Sequence, residues 1–268
     1  MAIKNLITND TKLLELSEQV YTPTKISKAT GIRKDICKTW DTWYENNNKW
    51  YFFKDFGYSD QSVFESKLIN ELIGEYLANR LGLDTVHYEL ARINTQSDRE
   101  LIGLASENFI QKRNKYLFIR DMDISVNYAN TNNLNRLRHI CPNEENYKEL
   151  LDEIYKLVAL DIYMSQEDRC EQNIQFRKHK KNLHLAPIYD YEYSFNDPYD
   201  LRYGSCILGI NVDDLDSYPK IKEGLDKLFS LDMKDIIEDI ETQRKIIVPE
   251  NTKEKYKEFV KTRAQSIR

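Results

Sequence analysis

Hydrophobic positions along the chain follow two periods, and the change from one to the other divides it. Trp50-Tyr51-Phe52-Phe53, flanked by Lys49 and by Lys54-Asp55-Phe56-Gly57, is an aromatic run bounded by polar residues and a glycine, which predicts a buried strand. A helix is predicted over 62–81, where Leu68, Ile69, Leu72, Ile73, Tyr76, Leu77 and Leu81 recur at helical spacing and bury one face. Ser62 can cap it, Glu65 completes a capping box, and Gly82 ends it. Strands follow over 86–93 and 103–110, with Gln96-Ser97-Asp98 as the turn between them. Beyond Phe109 the period becomes mostly helical. It is clearest over 146–164, where Leu150, Leu151, Ile154, Leu157, Val158 and Asp161 step around one helix. A hairpin is predicted from Ile174-Gln175-Phe176 and 184–188 around the basic turn 177–181. Two amphipathic helices close the chain, over 220–243 and 252–268, separated by Pro249. The first fifty residues show little periodicity. The pattern reads as a strand-plus-helix lobe, 1–107, followed by a larger helical lobe, 108–268, with the seam near 105–110.

Composition narrows the function classes. Of 268 residues, 41% are hydrophobic and 12% aromatic, enough for a real core. Lys and Arg number 39 against 44 Asp and Glu, a formal net charge of −5, which argues against a surface built to embrace nucleic acid or an anionic membrane. The basic clusters Lys112-Arg113-Asn114-Lys115 and 177–181 read as solvated surface, so nucleic acid is not an expected partner. The eight glycines stay well below the usual roughly 7% and disfavour glycine-dense repeats. Cys37, Cys141, Cys170 and Cys206 form no CxxC, and the four histidines have no spacing that pairs them with these thiols, so no zinc site is expected. The opening segment lacks a continuous apolar stretch, and no apolar run approaches the roughly eighteen residues of a membrane span. The expectation is a soluble cytoplasmic protein with reduced thiols.

The chemistry concentrates in one stretch. Asp168-Arg169 leaves the predicted helix, Asn173 follows five residues later, and Asp190 ends Ala186-Pro187-Ile188-Tyr189-Asp190 seventeen residues beyond that. Phosphoryl transfer needs such a set: one carboxylate to take the acceptor proton, and an amide oxygen and second carboxylate to hold Mg²⁺ on a triphosphate. Lys54, on its strand, can reach the phosphates that are not transferred. Each residue alone has a plainer reading, as a loop acid, an Asx turn, a strand-end lysine or a capping glutamate. The order of elements raises the functional reading. Asp161, on the apolar side of its helix, reads as a structural acid bracing the following loop.

These residues resemble the HipA-like serine/threonine kinases, in particular the short members without an N-terminal accessory domain. The resemblance rests on Tyr51-Phe52-Phe53-Lys54-Asp55-Phe56, 65–71, the helix exit Leu81-Gly82-Leu83, Asp161 with Asp168-Arg169 and Asn173, and 186–190; it runs from about Ile26 to the C-terminus. It implies an α+β, bilobal protein-kinase-like fold with a β-rich N-lobe and a mostly α-helical C-lobe. Lys54 would be the ATP-phosphate lysine, Asp168 the catalytic base, and Asn173 and Asp190 the Mg²⁺ ligands. The backbone from Ala105 through Glu107 to Phe109 would hold adenine, and Glu65, preferred over Glu71, would pair with Lys54. ATP and Mg²⁺ are the implied cofactors, a protein Ser/Thr hydroxyl the acceptor, and an antitoxin-type protein an implied partner. Two departures matter. Cys170 stands where many relatives carry His, and Ser27-Lys28-Ala29-Thr30-Gly31 holds a single glycine where relatives have a Gly/Ser-rich loop. Some relatives autophosphorylate that loop, which makes Ser27 and Thr30 candidate autophosphorylation sites. A nucleotide-binding pseudokinase and a kinase acting on a lipid or small molecule remain as alternatives.

Overall fold

The computed structural model describes residues 6–16, 18–19, 43–54, 61–94, 100–109, 115–118, 132–169, 173–199, 210 and 212–267. Ser27, Thr30, Cys170 and the predicted turn at 96–98 lie outside them. A six-stranded sheet dominates the N-terminal part, built from β1 (Leu14–Leu16), β2 (Glu18–Gln19), β3 (Trp43–Asn46), β4 (Lys49–Lys54), β5 (Tyr88–Asn94) and β6 (Glu100–Glu107) in the order β1-β5-β6-β4-β3-β2. All pairings are antiparallel except β1 with β5. Within the unpatterned first fifty residues, β3 pairs with β4 through Asn47-Asn48. Both have positive φ, 51° and 61°, the two-residue turn that asparagine tolerates and that matches strand twist.

The aromatic run of β4 is not buried on both faces. Tyr51 and Phe53 are buried and point one way, while Trp50, Phe52 and Lys54 alternate to the other and are part-exposed. Tyr51 and Phe53 join Leu16, Tyr44, Ala91, Ile93 and Ala105 in a small core on one face of the sheet. Leu90 and Leu104, on the other face, belong to a larger core shared with the helices.

Helix α1 (Gln61–Leu81) begins a residue before the predicted helix and ends where expected, with Gly82 at φ 72°. It differs in burial: residues 67–75 are all buried, not one stripe. It runs between the sheet and the C-terminal helices, so its polar residues there, Lys67, Asn70, Glu71 and Glu75, need partners inside the protein.

The C-terminal part comprises β7 (Lys115–Phe118), α2 (Asn132–Ile140), α3 (Glu144–Met164), β8 (Gln175–His179), β9 (Asn182–Leu185), a 3₁₀ turn (Val212–Ser217), α4 (Pro219–Phe229), α5 (Met233–Arg244) and α6 (Glu250–Ile267). Asn143 caps α3 by accepting the Asn146 N–H at 2.8 Å, and Ser165, at φ 51°, ends it. Strands β7, β8 and β9 form a second sheet, with the hairpin turn at Lys180-Lys181; the basic residues 177–179 are strand, not turn. Asn146, fully buried, ties α3 to the hairpin by bonding both the N–H and the C=O of Leu183 at 2.9 Å. The helix predicted over 220–243 is two helices: the chain breaks at Ser230-Leu231, and Asp232 restarts it by accepting the Lys234 N–H at 2.8 Å. Among the described residues no helix is long and apolar enough to cross a membrane.

Candidate active site

Lys54 ends β4 and projects to the face of the sheet that α1 covers. Its Nζ bonds Glu71 Oε1 of α1 at 2.5 Å and also bonds Asp190, with Glu192 at 3.9 Å. The lysine partner is therefore Glu71 and not Glu65. The preference for Glu65 fails because Glu71 lies in the buried middle of α1, where it also accepts the Tyr191 N–H at 3.0 Å, whereas Glu65 lies in the half-buried second turn. Gly74, one turn further along α1, lets Tyr191 lie against the helix: a Cβ there would sit 2.2 Å from the tyrosine ring. Among the described residues, Glu71, Asp190 and Glu192 offer carboxylate oxygens all within 4.8 Å of one another.

The loop after α3 supplies the second half of the site. Asp161 is fully buried and takes Arg169 in a forked ion pair, with N–O distances of 3.0 to 3.3 Å, while Arg169 Nη1 bonds the Tyr189 C=O at 2.7 Å. This is the bracing role expected of Asp161, and it locks the loop on either side of Asp168. Asn173 donates from Nδ2 to the Asp168 C=O at 2.8 Å, which leaves its amide oxygen as the donor available to a cation. The segment leading to Asp190 is anchored to the loop after α1: Ile188 donates to the Asp84 C=O at 2.8 Å and accepts from Val86 N–H and the Thr85 hydroxyl. Asp168 is exposed at the rim, Asn173 is buried and Asp190 is half-buried.

Charge follows this packing. Burial alone would lower the Lys54 pKa, but the Glu71, Asp190 and Glu192 carboxylates overcome it and hold the ammonium well above the usual lysine value. Burial raises Glu71 against the pull of Lys54. Burial also opposes ionisation of Asp190, yet Lys54, Arg169 and a hydrogen bond from Asn173 together keep its carboxyl below the ordinary aspartate value. Asp168 shifts the other way, raised by burial and then by the negative field of Asp190 and Glu192. The two carboxyls are thus pushed in opposite directions by the same cluster of charges.

The expected adenine-holding segment divides. Ala105 is the register partner of Phe53, so its side chain falls on the face opposite Lys54, inside the small core, with sheet neighbours on both sides. Its side chain therefore faces that core, while its backbone, the part expected to hold adenine, lies between β4 and β5. Pairing with β5 stops at Ser106, and Glu107–109 run on past the end of that strand. Glu107 pairs with Lys49 at 2.7 Å, Asn108 donates its N–H to the Trp50 C=O, and the Phe109 ring packs 6.2 Å from that of Tyr189. Phe52, within the aromatic run before Lys54, and its register partner Ser106, which no motif marks, line the Lys54 face of the sheet. Two more residues went unmarked by any spacing, Tyr88 and Gln166. Their role depends on Asp190, distant in sequence from both.

No family model matches the chain, and no curated protein matches its sequence. Solved structures do match. The Helicobacter pylori proinflammatory kinase CtkA superposes with a TM-score of 0.59 at 15% identity, over 84% of this chain and 90% of that one. HipA from Shewanella oneidensis, in its toxin–antitoxin complex with HipB and operator DNA, superposes with a TM-score of 0.53 at 12% identity, over 98% of this chain and 73% of that one. The chain thus has a HipA-like kinase fold, bilobal, with a curled N-terminal sheet and a helical C-terminal part, as its motif order implied.

Proposed function

We propose that the protein is an ATP- and Mg²⁺-dependent kinase that phosphorylates a Ser/Thr hydroxyl of a protein, with its lobes meeting after residue 107. The observation that carries this reading is the meeting of Lys54, Glu71 and Asp190, from a strand, a helix and a loop, next to the braced Asp168–Asn173 loop. Glu71 holds Lys54 extended so that its ammonium can grip the non-transferred phosphates. Asn173 and Asp190, both hard oxygen donors, would hold Mg²⁺, which supplies charge neutralisation across the phosphates. Asp168 takes the proton of the attacking hydroxyl as its oxygen bonds the γ-phosphorus and the bond to the β-phosphate oxygen breaks, leaving ADP. Most of the rate gain then comes from positioning and field, not covalent chemistry. Because the HipA neighbour sits in a complex with HipB, an antitoxin-type protein is the partner to seek.

The test is phosphate transfer from γ-labelled ATP to protein substrates and to the kinase itself. Asp168→Ala and Asp190→Ala each abolish transfer, and undiminished transfer in both removes the mechanism. A second reading, a nucleotide-binding module without transfer, draws on the direct Lys54–Asp190 pair, in which a cation already occupies the proposed metal-binding carboxylate. A thermal shift with Mg-ATP and no transfer selects it.

A further inference from the structure

Asp190 has φ 71°, a left-handed backbone that is uncommon for a non-glycine residue, though aspartate tolerates it better than most, and that local bonds can hold in place. The structure supplies such bonds from both sides. Gln166 donates from Nε2 to the Asp190 C=O at 2.6 Å, and the Asp190 N–H donates to the Tyr88 hydroxyl at 3.3 Å. Both gripping side chains are buried, Gln166 at 1% exposure and Tyr88 at 2%. Gln166 has a second attachment. The Gln166 amide oxygen accepts the Asp168 N–H at 3.3 Å, so one side chain ties the backbones of two residues twenty-two apart in sequence.

We propose that Gln166 and Tyr88 are positioning residues that clamp the Asp190 backbone from opposite sides and thereby aim its carboxylate at the metal. The proposal rests on the kinase reading for the identity of the metal–nucleotide ligand. Gln166 comes from the loop after α3 and Tyr88 from the start of β5, so the clamp is closed only when both parts of the molecule are in register. Both side chains bond the Asp190 backbone and would act through it. Without the clamp, Asp190 can relax to negative φ, and its carboxylate then leaves the side of Asn173.

The test is calorimetric titration of the full chain with a non-hydrolysable ATP analogue, with and without Mg²⁺. In the wild type Mg²⁺ tightens binding. In Gln166→Met and in Tyr88→Phe, affinity without Mg²⁺ stays within about twofold, while the tightening by Mg²⁺ falls on the order of tenfold, as expected when groups supporting a metal ligand are lost. Gln166→Glu keeps the acceptor for Asp168 but sets a carboxylate oxygen against the Asp190 C=O, and loses at least as much. A residue that only stabilised the fold would lower the melting temperature and leave the Mg²⁺ effect intact. Wild-type Mg²⁺ tightening in the folded variants overturns the clamp. Should Gln166→Met not fold, Tyr88→Phe, which removes a single oxygen, decides. Mg²⁺ tightening in the wild type with no phosphate transfer sinks the kinase reading and leaves the clamp to the variants; no Mg²⁺ effect in the wild type overturns both.

Discussion

Glu65 and Glu71 stand six residues apart on one helix, and the difference between them is a matter of burial. Glu71 is fully buried, and an ammonium and an amide N–H satisfy its two oxygens. Glu71→Gln keeps the shape but removes the charge that holds Lys54. It should lower kcat/KM on the order of 10²-fold through misplacement of the lysine, and Glu65→Gln should cost much less. Steady-state kinetics on the two variants checks this, and equal losses would mean that Glu71 does not set the position of Lys54. Lys54, Asp168, Asn173 and Asp190 stood out as candidates because their side-chain chemistry and order are scarce in combination. Glu71 was ranked second to Glu65, and Tyr88 and Gln166 were not marked at all, since an acid in a helix, a tyrosine at a strand start and a glutamine in a loop are ordinary until their distant partners are known. Ala105 turns its methyl group into the small core, a facing that depends on the register of β6 with β4 and so could not be read from the strand pattern alone.

Elements were read best where one period ran long. Helices α1 and α3 emerged nearly to their ends because their apolar spacing runs long and Gly82 closes α1 as expected, although Ser62, expected as a cap, lies inside α1, and Asn143 caps α3 without having been marked. The break between α4 and α5 escaped because no glycine or proline marks it; Asp232 restarts the helix through a side-chain bond visible only in three dimensions. The hairpin β8–β9 shows how an element is held by something outside itself. Its edge strand β9 is sutured to α3 by the Asn146 amide, which satisfies both backbone groups of Leu183. Asn146→Leu leaves both unpaired in a buried place and should destabilise the protein by about 1–3 kcal/mol. Amide hydrogen exchange in β9 should rise selectively. Exchange in β9 that stays at the wild-type rate would show that strand pairing alone secures the hairpin, and with it the approach to Asp190.

At the scale of the molecule, the lobes share one interior. The larger core takes Leu68, Leu72 and Leu77 from α1, Leu90 and Leu104 from the sheet, and Leu157, Leu160, Ile221 and Ile237 from the C-terminal helices. Polar ties run the same way. From α6, Tyr256 bonds Asn70 and the Ser66 C=O on α1, while Arg263 bonds the C=O of Ile162 and of Pro198. Asn70 in turn bonds the carbonyls of Glu192 and Ser194, just beyond Asp190. Even the N-terminal segment crosses over, with Ile247 donating to the Leu6 C=O at 2.8 Å. A chain of this length would ordinarily be free to unfold in parts. A core without a seam removes that freedom, because opening either lobe exposes apolar surface of the other. The described core should therefore melt in one transition. Leu72→Ala on the N-terminal side and Leu160→Ala on the C-terminal side, each costing about 2–5 kcal/mol, should lower that same transition as a whole. Calorimetry decides: two resolved transitions, with Leu72→Ala moving only one, would mean that the lobes are energetically separate and that α1 belongs to just one of them.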